Sequence, residues 1–176
     1  MPDSWIIPEF LGSRRQELLD YVLSQEQQFS AATVSMGATR KVVEGVRRAR
    51  VLESLGNFEH FFLDSLLPIL GKLGFEFGRI ELQITASNDG DYFRLHQDGG
   101  PDATREITFV YFLHGEPRPF SGGELKIRDN TVTPCGDTLV LFPSCSVHEV
   151  LAVEVPSRQF ADSRFTVNGW VHRKVE

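Results

Sequence analysis

Hydrophobic and polar positions follow two different periods in the two halves of the chain. Over 11–28 the apolar residues Leu18, Leu19, Tyr21 and Val22 recur at helical spacing after an Ile6-Ile7-Pro8 entry. From Asn57, a residue type that caps helices, Phe58, Phe61, Phe62, Leu66, Leu70 and Leu73 fall on one stripe, and Gly71 and Gly74 close it. Such a stripe needs a sheet to cover it, and Pro68 inside it predicts a bend or a break. From Phe75 onward the pattern changes to short apolar runs split by Gly, Pro, Asn and Asp, with strands predicted at 77–87, 92–97, 105–114, 123–128, 131–134, 138–143, 146–153 and 164–172.

Strands at hairpin-like spacing without helices between them indicate an antiparallel sandwich or barrel rather than a parallel α/β sheet. The expectation is therefore a mainly β protein with N-terminal helices. Its core is a double-stranded β-helix (jelly roll) of antiparallel strands, with the helices packed on one outer face. Length fits a single domain over 1–176, in which 1–74 act as helical support and 75–176 as the jelly-roll core.

Composition narrows the function. With 41% hydrophobic and 24% charged residues the chain can build a core and is not disordered. No apolar run approaches the ~18–20 residues of a membrane helix, and Met1-Pro-Asp-Ser-Trp5 is not a basic-then-apolar leader, so no membrane and a cytoplasmic location are expected. Cys135 and Cys145 are too few for a disulfide framework and not in finger spacing. A net charge of −6 argues against a general nucleic-acid binder. The stretch 40–50 nevertheless holds five basic residues (Arg40, Lys41, Arg47, Arg48, Arg50) against Glu44 alone. A solvated face is the plain reading, and a flap receiving an anionic substrate the sharper one.

The candidate chemistry starts at His96-Gln97-Asp98. Residues two apart in a strand point to one face, so this spacing delivers an imidazole and a carboxylate together. A second match, His114-Gly115-Glu116, sits before Pro117, where a turn separates the two side chains. His148, in a strand–turn–strand stretch 50 residues after Asp98, can meet the first pair inside an antiparallel barrel. Two histidines and a carboxylate form the facial triad of non-haem Fe(II), which leaves positions open for a chelating co-substrate and dioxygen. A dicarboxylic 2-oxo acid then needs a fixed cation for its far carboxylate, and arginine's planar fork suits it. Arg164 opens the last strand and shares a face with Thr166, Asn168 and Trp170; Arg158 is the competitor by spacing. Arg164 could instead pair with Glu124.

In their order, His96-Gln-Asp98, Arg105 to Leu113, Ser121-Gly-Gly-Glu-Leu-Lys-Ile127, Leu141-Phe-Pro-Ser144, His148-Glu-Val150 and Arg164 to Trp170 resemble the prolyl-4-hydroxylase-like Fe(II)/2-oxoglutarate-dependent dioxygenases over about 80–172. The resemblance implies His96, Asp98 and His148 as iron ligands and Arg164 as the partner of the 2-oxoglutarate 5-carboxylate. Thr108, Val110, Phe112, Leu125, Val150 and Trp170 would line the co-substrate side. The family often has tyrosine where Phe112 stands, so Thr85, Gln83 or Thr108 must supply the missing donor or it is absent. The interval from His148 to Arg164 is longer than usual, with 154–162 apparently inserted.

The activity implied by the resemblance is that of a hydroxylase using Fe(II), 2-oxoglutarate and O2, with ascorbate as a reductant. It would act on a prolyl or other amino-acid side chain of a peptide or protein, or on a free or carrier-bound amino acid or other small molecule. A cupin-type metal jelly roll without 2-oxoglutarate is the rival from another class. Segments 30–56 and 87–104 are candidate lids, with Arg40 and Arg94 as candidate grips on a substrate carboxylate. His60, His114 and His172 are expected to be structural, Gly122-Gly123 a turn, and Cys145 a small buried hydrophobe that could lie near the iron.

Overall fold

The computed structural model describes residues 3–36, 39–99 and 104–174. The first part of the chain runs β1 (Trp5–Ile7), α1 (Arg15–Ser24), β2 (Ser30–Ala31), β3 (Val34–Met36), β4 (Thr39–Lys41), β5 (Arg47–Arg48), β6 (Arg50–Leu52) and α2 (Phe58–Lys72). The second part continues with β7 (Phe77–Ser87), β8 (Tyr92–His96), β9 (Arg105–Leu113), β10 (Ser121–Gly122), β11 (Leu125–Ile127) and β12 (Asn130–Val132). It closes with β13 (Thr138–Pro143), β14 (His148–Val150), β15 (Val153–Glu154) and β16 (Arg164–Arg173).

Two antiparallel sheets face each other. The larger has the order β1-β13-β9-β16-β7-β6-β2 and the smaller β12-β11-β14-β8-β5, the arrangement of a jelly roll. Alternation along the strands of the larger sheet splits its side chains between two cores. One face sends Ile84, Phe109, Tyr111, Leu139, Leu141, Phe165 and Val167 against Leu18, Leu19 and Val22 of α1 and Phe62, Leu66 and Leu70 of α2. The other sends Val110, Phe112, Val140 and Phe142 against Leu125, Ile127 and Val132 of the smaller sheet.

The N-terminal part departs from the sequence pattern. Strands of two or three residues from this segment form both borders of the larger sheet and one border of the smaller. The predicted helix over 11–28 is an α-helix only at Arg15–Ser24, with 3-10 turns at Gly12–Arg14 and Glu26–Gln28. Asn57 stands at the N-cap of α2 but makes no capping bond with its side chain. Backbone carbonyls serve instead, Leu55 accepting from the Phe58 N–H at 3.0 Å and Gly56 from the Glu59 N–H at 3.2 Å. Helix α2 also continues through Pro68, whose missing N–H leaves only the Asp64 carbonyl without its helical donor. The stretch predicted as one strand over 146–153 divides into β14, in the smaller sheet, and β15, paired with β10. Among the described residues no helix is long and apolar enough to cross a membrane.

Phe62 joins the two layers, with its ring 6.0 Å from Phe109 and 5.6 Å from Tyr111 between centroids. Phe62→Ala leaves a cavity between α2 and the sheet and lowers stability by about 3–5 kcal/mol. Urea unfolding followed by circular dichroism measures the loss.

Candidate metal centre

Strands β8 and β14 lie antiparallel in a register that sets His148 opposite His96, with ring centroids 4.1 Å apart. The next matched pair is Val150 with Phe93, so three steps along β8 answer two along β14. This bulge breaks strict alternation and turns both Phe93 and His96 inward, where their rings stack at 3.5 Å.

Asp98 reaches the same point by a different route from the one its spacing suggested. Strand β8 ends at His96, so strand alternation does not place Asp98. The Ser144 carbonyl does, accepting the backbone N–H groups of Asp98 (3.1 Å) and Gly99 (3.0 Å). Thr108 Oγ1 then donates to Asp98 Oδ2 at 2.8 Å. Because that bond uses the only hydroxyl proton of Thr108, Ser144 Oγ donates to Thr108 Oγ1 at 3.0 Å.

The three side chains converge. His96 Nε2 lies 3.5 Å from Asp98 Oδ1 and His148 Nε2 lies 3.4 Å from Asp98 Oδ2. One ligand atom from each falls within 4.8 Å of the others, a grouping that could hold a metal ion. His96 Nδ1 meets the Arg94 carbonyl at 2.7 Å and His148 Nδ1 meets the Ser146 carbonyl at 3.0 Å. A carbonyl only accepts, so each Nδ1 is a donor and Nε2 is the ring nitrogen turned toward the carboxylate. Burial pushes Asp98 upward, but the facing His148 and His96 overcome it and hold the group well below the usual carboxylate range. A carboxylate and two imidazole nitrogens that converge on one point suit a divalent cation.

A cleft opens on this cluster. Thr108, Leu125, Val150 and Trp170 line it, as do Val110 and Gln83. Phe112 and Arg164 belong to the same inner face but lie fully buried beyond it. Arg164 Nε and Nη2 have no hydrogen-bond partner, and the Phe112 ring centroid lies 5.1 Å from its Cζ. Burial lowers the Arg164 pKa to about 10, with Glu124 acting on it as a distant charge rather than as an ion-pair partner. Gly123, at φ +70°, makes the room: a Cβ there would stand 2.6 Å from Arg164 Cδ. The glycine pair is therefore more than a turn. The competitor, Arg158, is exposed and bound to Asp89 at 3.0 Å.

Other candidates fall elsewhere. Arg40 pairs with Glu53 at 3.5 Å on the surface, and Arg94 donates to the Gly45 carbonyl at 3.1 Å; neither lines the cleft. The residue of the basic stretch that does is Arg47, which the sequence pattern did not separate from its neighbours. Of the candidate lids, 37–38 and 100–103 lie outside the described residues. Thr85, considered as a substitute for the missing tyrosine hydroxyl, accepts from Arg47. Cys145 is exposed rather than buried, at the turn between β13 and β14. His114 bonds the Gly115 and Pro134 carbonyls and His172 bonds Thr104, as structural histidines do.

With this geometry in hand, comparison with known proteins points one way. The model of the 2OG-Fe(II) oxygenase superfamily matches residues 82–172. An uncharacterized PKHD-type hydroxylase of Synechocystis is 35% identical, covering 97% of this chain and 59% of its own length, so the chain spans under two thirds of that relative. The fold is that of a Pseudomonas putida prolyl-4-hydroxylase (TM-score 0.72, 19% identity, 98% of this chain and 94% of that one). It is equally that of a Trichoplax adhaerens prolyl hydroxylase solved with a hypoxia inducible factor peptide fragment (TM-score 0.76, 22% identity, 97% and 83%).

Thr108→Val removes the hydroxyl that orients Asp98 while keeping its shape. Loss of such an outer hydrogen bond weakens metal binding by about 10–100-fold. Calorimetric titration of the metal-free protein with Mn(II) reads the change.

Proposed function

The chain belongs to the 2OG-Fe(II) oxygenase superfamily, and on that premise we propose that it is an Fe(II)- and 2-oxoglutarate-dependent dioxygenase hydroxylating an unactivated C–H bond, with a prolyl or other amino-acid side chain of a peptide as substrate. One observation carries the reading: the His96–Asp98–His148 cluster and the unpartnered guanidinium of Arg164 share one barrel interior. Both suit the groups the family uses. The cluster offers two imidazole lone pairs and one carboxylate, the donor set of a non-haem iron with open positions. Arg164 offers buried donors with no acceptor, which a carboxylate would satisfy.

His96, Asp98 and His148 would hold Fe(II), and Arg164 the far carboxylate of 2-oxoglutarate. When bound, the iron couples decarboxylation of 2-oxoglutarate by dioxygen to insertion of one oxygen atom into the substrate C–H bond, leaving succinate and carbon dioxide. The protein's own part is positioning and exclusion of water. Thr108 and the Ser144 carbonyl fix Asp98, and the Arg94 and Ser146 carbonyls fix the two imidazoles. Val110, Leu125, Val150 and Phe112 provide an apolar wall that strengthens every charge interaction beside it. Phe112 gives no hydroxyl, so recognition of the far carboxylate rests on the guanidinium fork, with Thr166 already donating to Asn168 at 2.6 Å.

A peptide substrate is supported by the Trichoplax relative, which was solved with a peptide fragment. The cupin alternative calls for more histidines at the centre, and the cluster contains two.

Anaerobic titration of the Fe(II)-loaded protein with 2-oxoglutarate tests the reading through the visible metal-to-ligand charge-transfer band. The band develops in the wild type and is absent in His96→Ala. Arg164→Ala needs on the order of 100-fold more 2-oxoglutarate, as loss of a buried charged hydrogen-bonding partner implies. Iron bound without a band would remove 2-oxoglutarate from the account.

A further inference from the structure

Arg47 is a buried cation in the wall of the cleft, on the border strand β5 of the smaller sheet. Its partners are neutral: the Thr33 carbonyl and Thr85 Oγ1, each at 3.3 Å, and the Phe93 ring with its centroid 4.8 Å away. Phe93 in turn stacks on His96, so the guanidinium stands one aromatic ring from the metal cluster. Among the described residues no carboxylate lies within ion-pair distance of it. Two neighbouring bases are ion-paired, and a third, Arg50, meets carbonyls as Arg47 does but lies off the cleft. Arg40 is paired with Glu53 at 3.5 Å and Arg48 with Asp91 at 3.2 Å, while Arg50 donates to the Glu26 carbonyl at 2.7 Å.

Charge bookkeeping then singles Arg47 out. The two positive charges of Fe(II) and the one of Arg164 are matched by Asp98 and the two carboxylates of 2-oxoglutarate. Arg47 remains without a counter-charge. Burial lowers its pKa to about 10, so it stays protonated at neutral pH. The acidic group that acts on it most strongly, Asp98, is the one the metal would take. A buried, unpaired guanidinium is costly, and a fork with unused donors is built for a carboxylate.

We infer that Arg47 is the specificity-determining residue of the cleft, receiving a carboxylate of the substrate, an inference that rests on the dioxygenase reading above. The preferred substrate therefore carries a negative charge close to the oxidised side chain. That charge is either an adjacent acidic side chain or a free chain-terminal carboxylate. Arg47, rather than the rim residues Arg40 and Arg94, makes the contact.

The test uses the Fe(II)·2-oxoglutarate protein under anaerobic conditions, with binding read from perturbation of the charge-transfer band. Two pairs of probes separate the sources: N-acetyl-Asp-Pro-amide against N-acetyl-Asn-Pro-amide, and N-acetyl-Ala-Pro with a free carboxylate against its amide. In the wild type at least one acid is bound tenfold or more tightly than its neutral partner. Arg47→Gln abolishes that preference, Arg47→Lys keeps part of it, and Arg40→Gln on the surface leaves it intact. No preference in the wild type, or a preference that survives Arg47→Gln, overturns the inference. So does a tenfold rise in the 2-oxoglutarate midpoint of Arg47→Gln, which would make Arg47 a second co-substrate anchor. Absence of the band in the wild type is a separate outcome: it overturns the dioxygenase reading, and the inference with it.

Discussion

The cleft depends on the antiparallel pairing of β14 with β8. That register puts His148 across from His96, and one short turn, 143–147, holds both Asp98 and His148. The turn is closed by the Ser146 N–H donating to the Pro143 carbonyl at 2.8 Å. Its Ser144 carbonyl holds the backbone of Asp98 and Gly99, and its Ser146 carbonyl holds the ring of His148. A slip of one residue would turn His148 out of the barrel and break the bonds from the Ser144 carbonyl to Asp98 and Gly99. Metal geometry and strand register are thus one constraint.

The second organising feature is a gradient across the inner face of the larger sheet. On β13 and β9 that face is Val140, Phe142, Val110 and Phe112, packed against the smaller sheet. On β16 and β7 it is Arg164, Thr166, Asn168, Gln83, Thr85 and Ser87, all buried or nearly so. Polar side chains inside a barrel cost stability unless they meet partners, so a core built only for folding would not place them there. Two of them, Gln83 and Asn168, line the cleft with the His96–Asp98–His148 cluster. The apolar half keeps that space dry.

Segment length decides how much of the fold was legible in the sequence. Strands β7, β9 and β16 run nine to eleven residues and alternate through enough steps to declare themselves. Strands β2, β5 and β6 have two or three residues, too few to show a period, and their place in the sheets comes from long-range pairing. The His96–Asp98 spacing pointed to two side chains that do meet, but for an incomplete reason, because a carbonyl 46 residues downstream, rather than the strand, places the carboxylate. Arg164 was legible through the alternation along its strand. Arg47 was not, since five bases in eleven residues look alike until one of them turns inward.

Arg164 and Arg47 place two buried cations in the barrel interior. Arg164 is fixed by packing, with Phe112 below it and the missing Cβ of Gly123 beside it, rather than by hydrogen bonds. A guanidinium held by shape keeps its donors directed and unused, so an incoming carboxylate meets a fork that needs no reorganisation. Phenylalanine at 112 fits that design, because the face of the ring supports the cation without competing for its donors as an acceptor would. The cost of the buried charge falls on the ligand-free fold and is returned on binding, since a ligand taken up by the native state alone stabilises it by RT ln(1 + L/Kd), with L the free ligand concentration. Two such cations at different depths of one cleft would couple folding to occupancy twice, once through the co-substrate and once through the substrate.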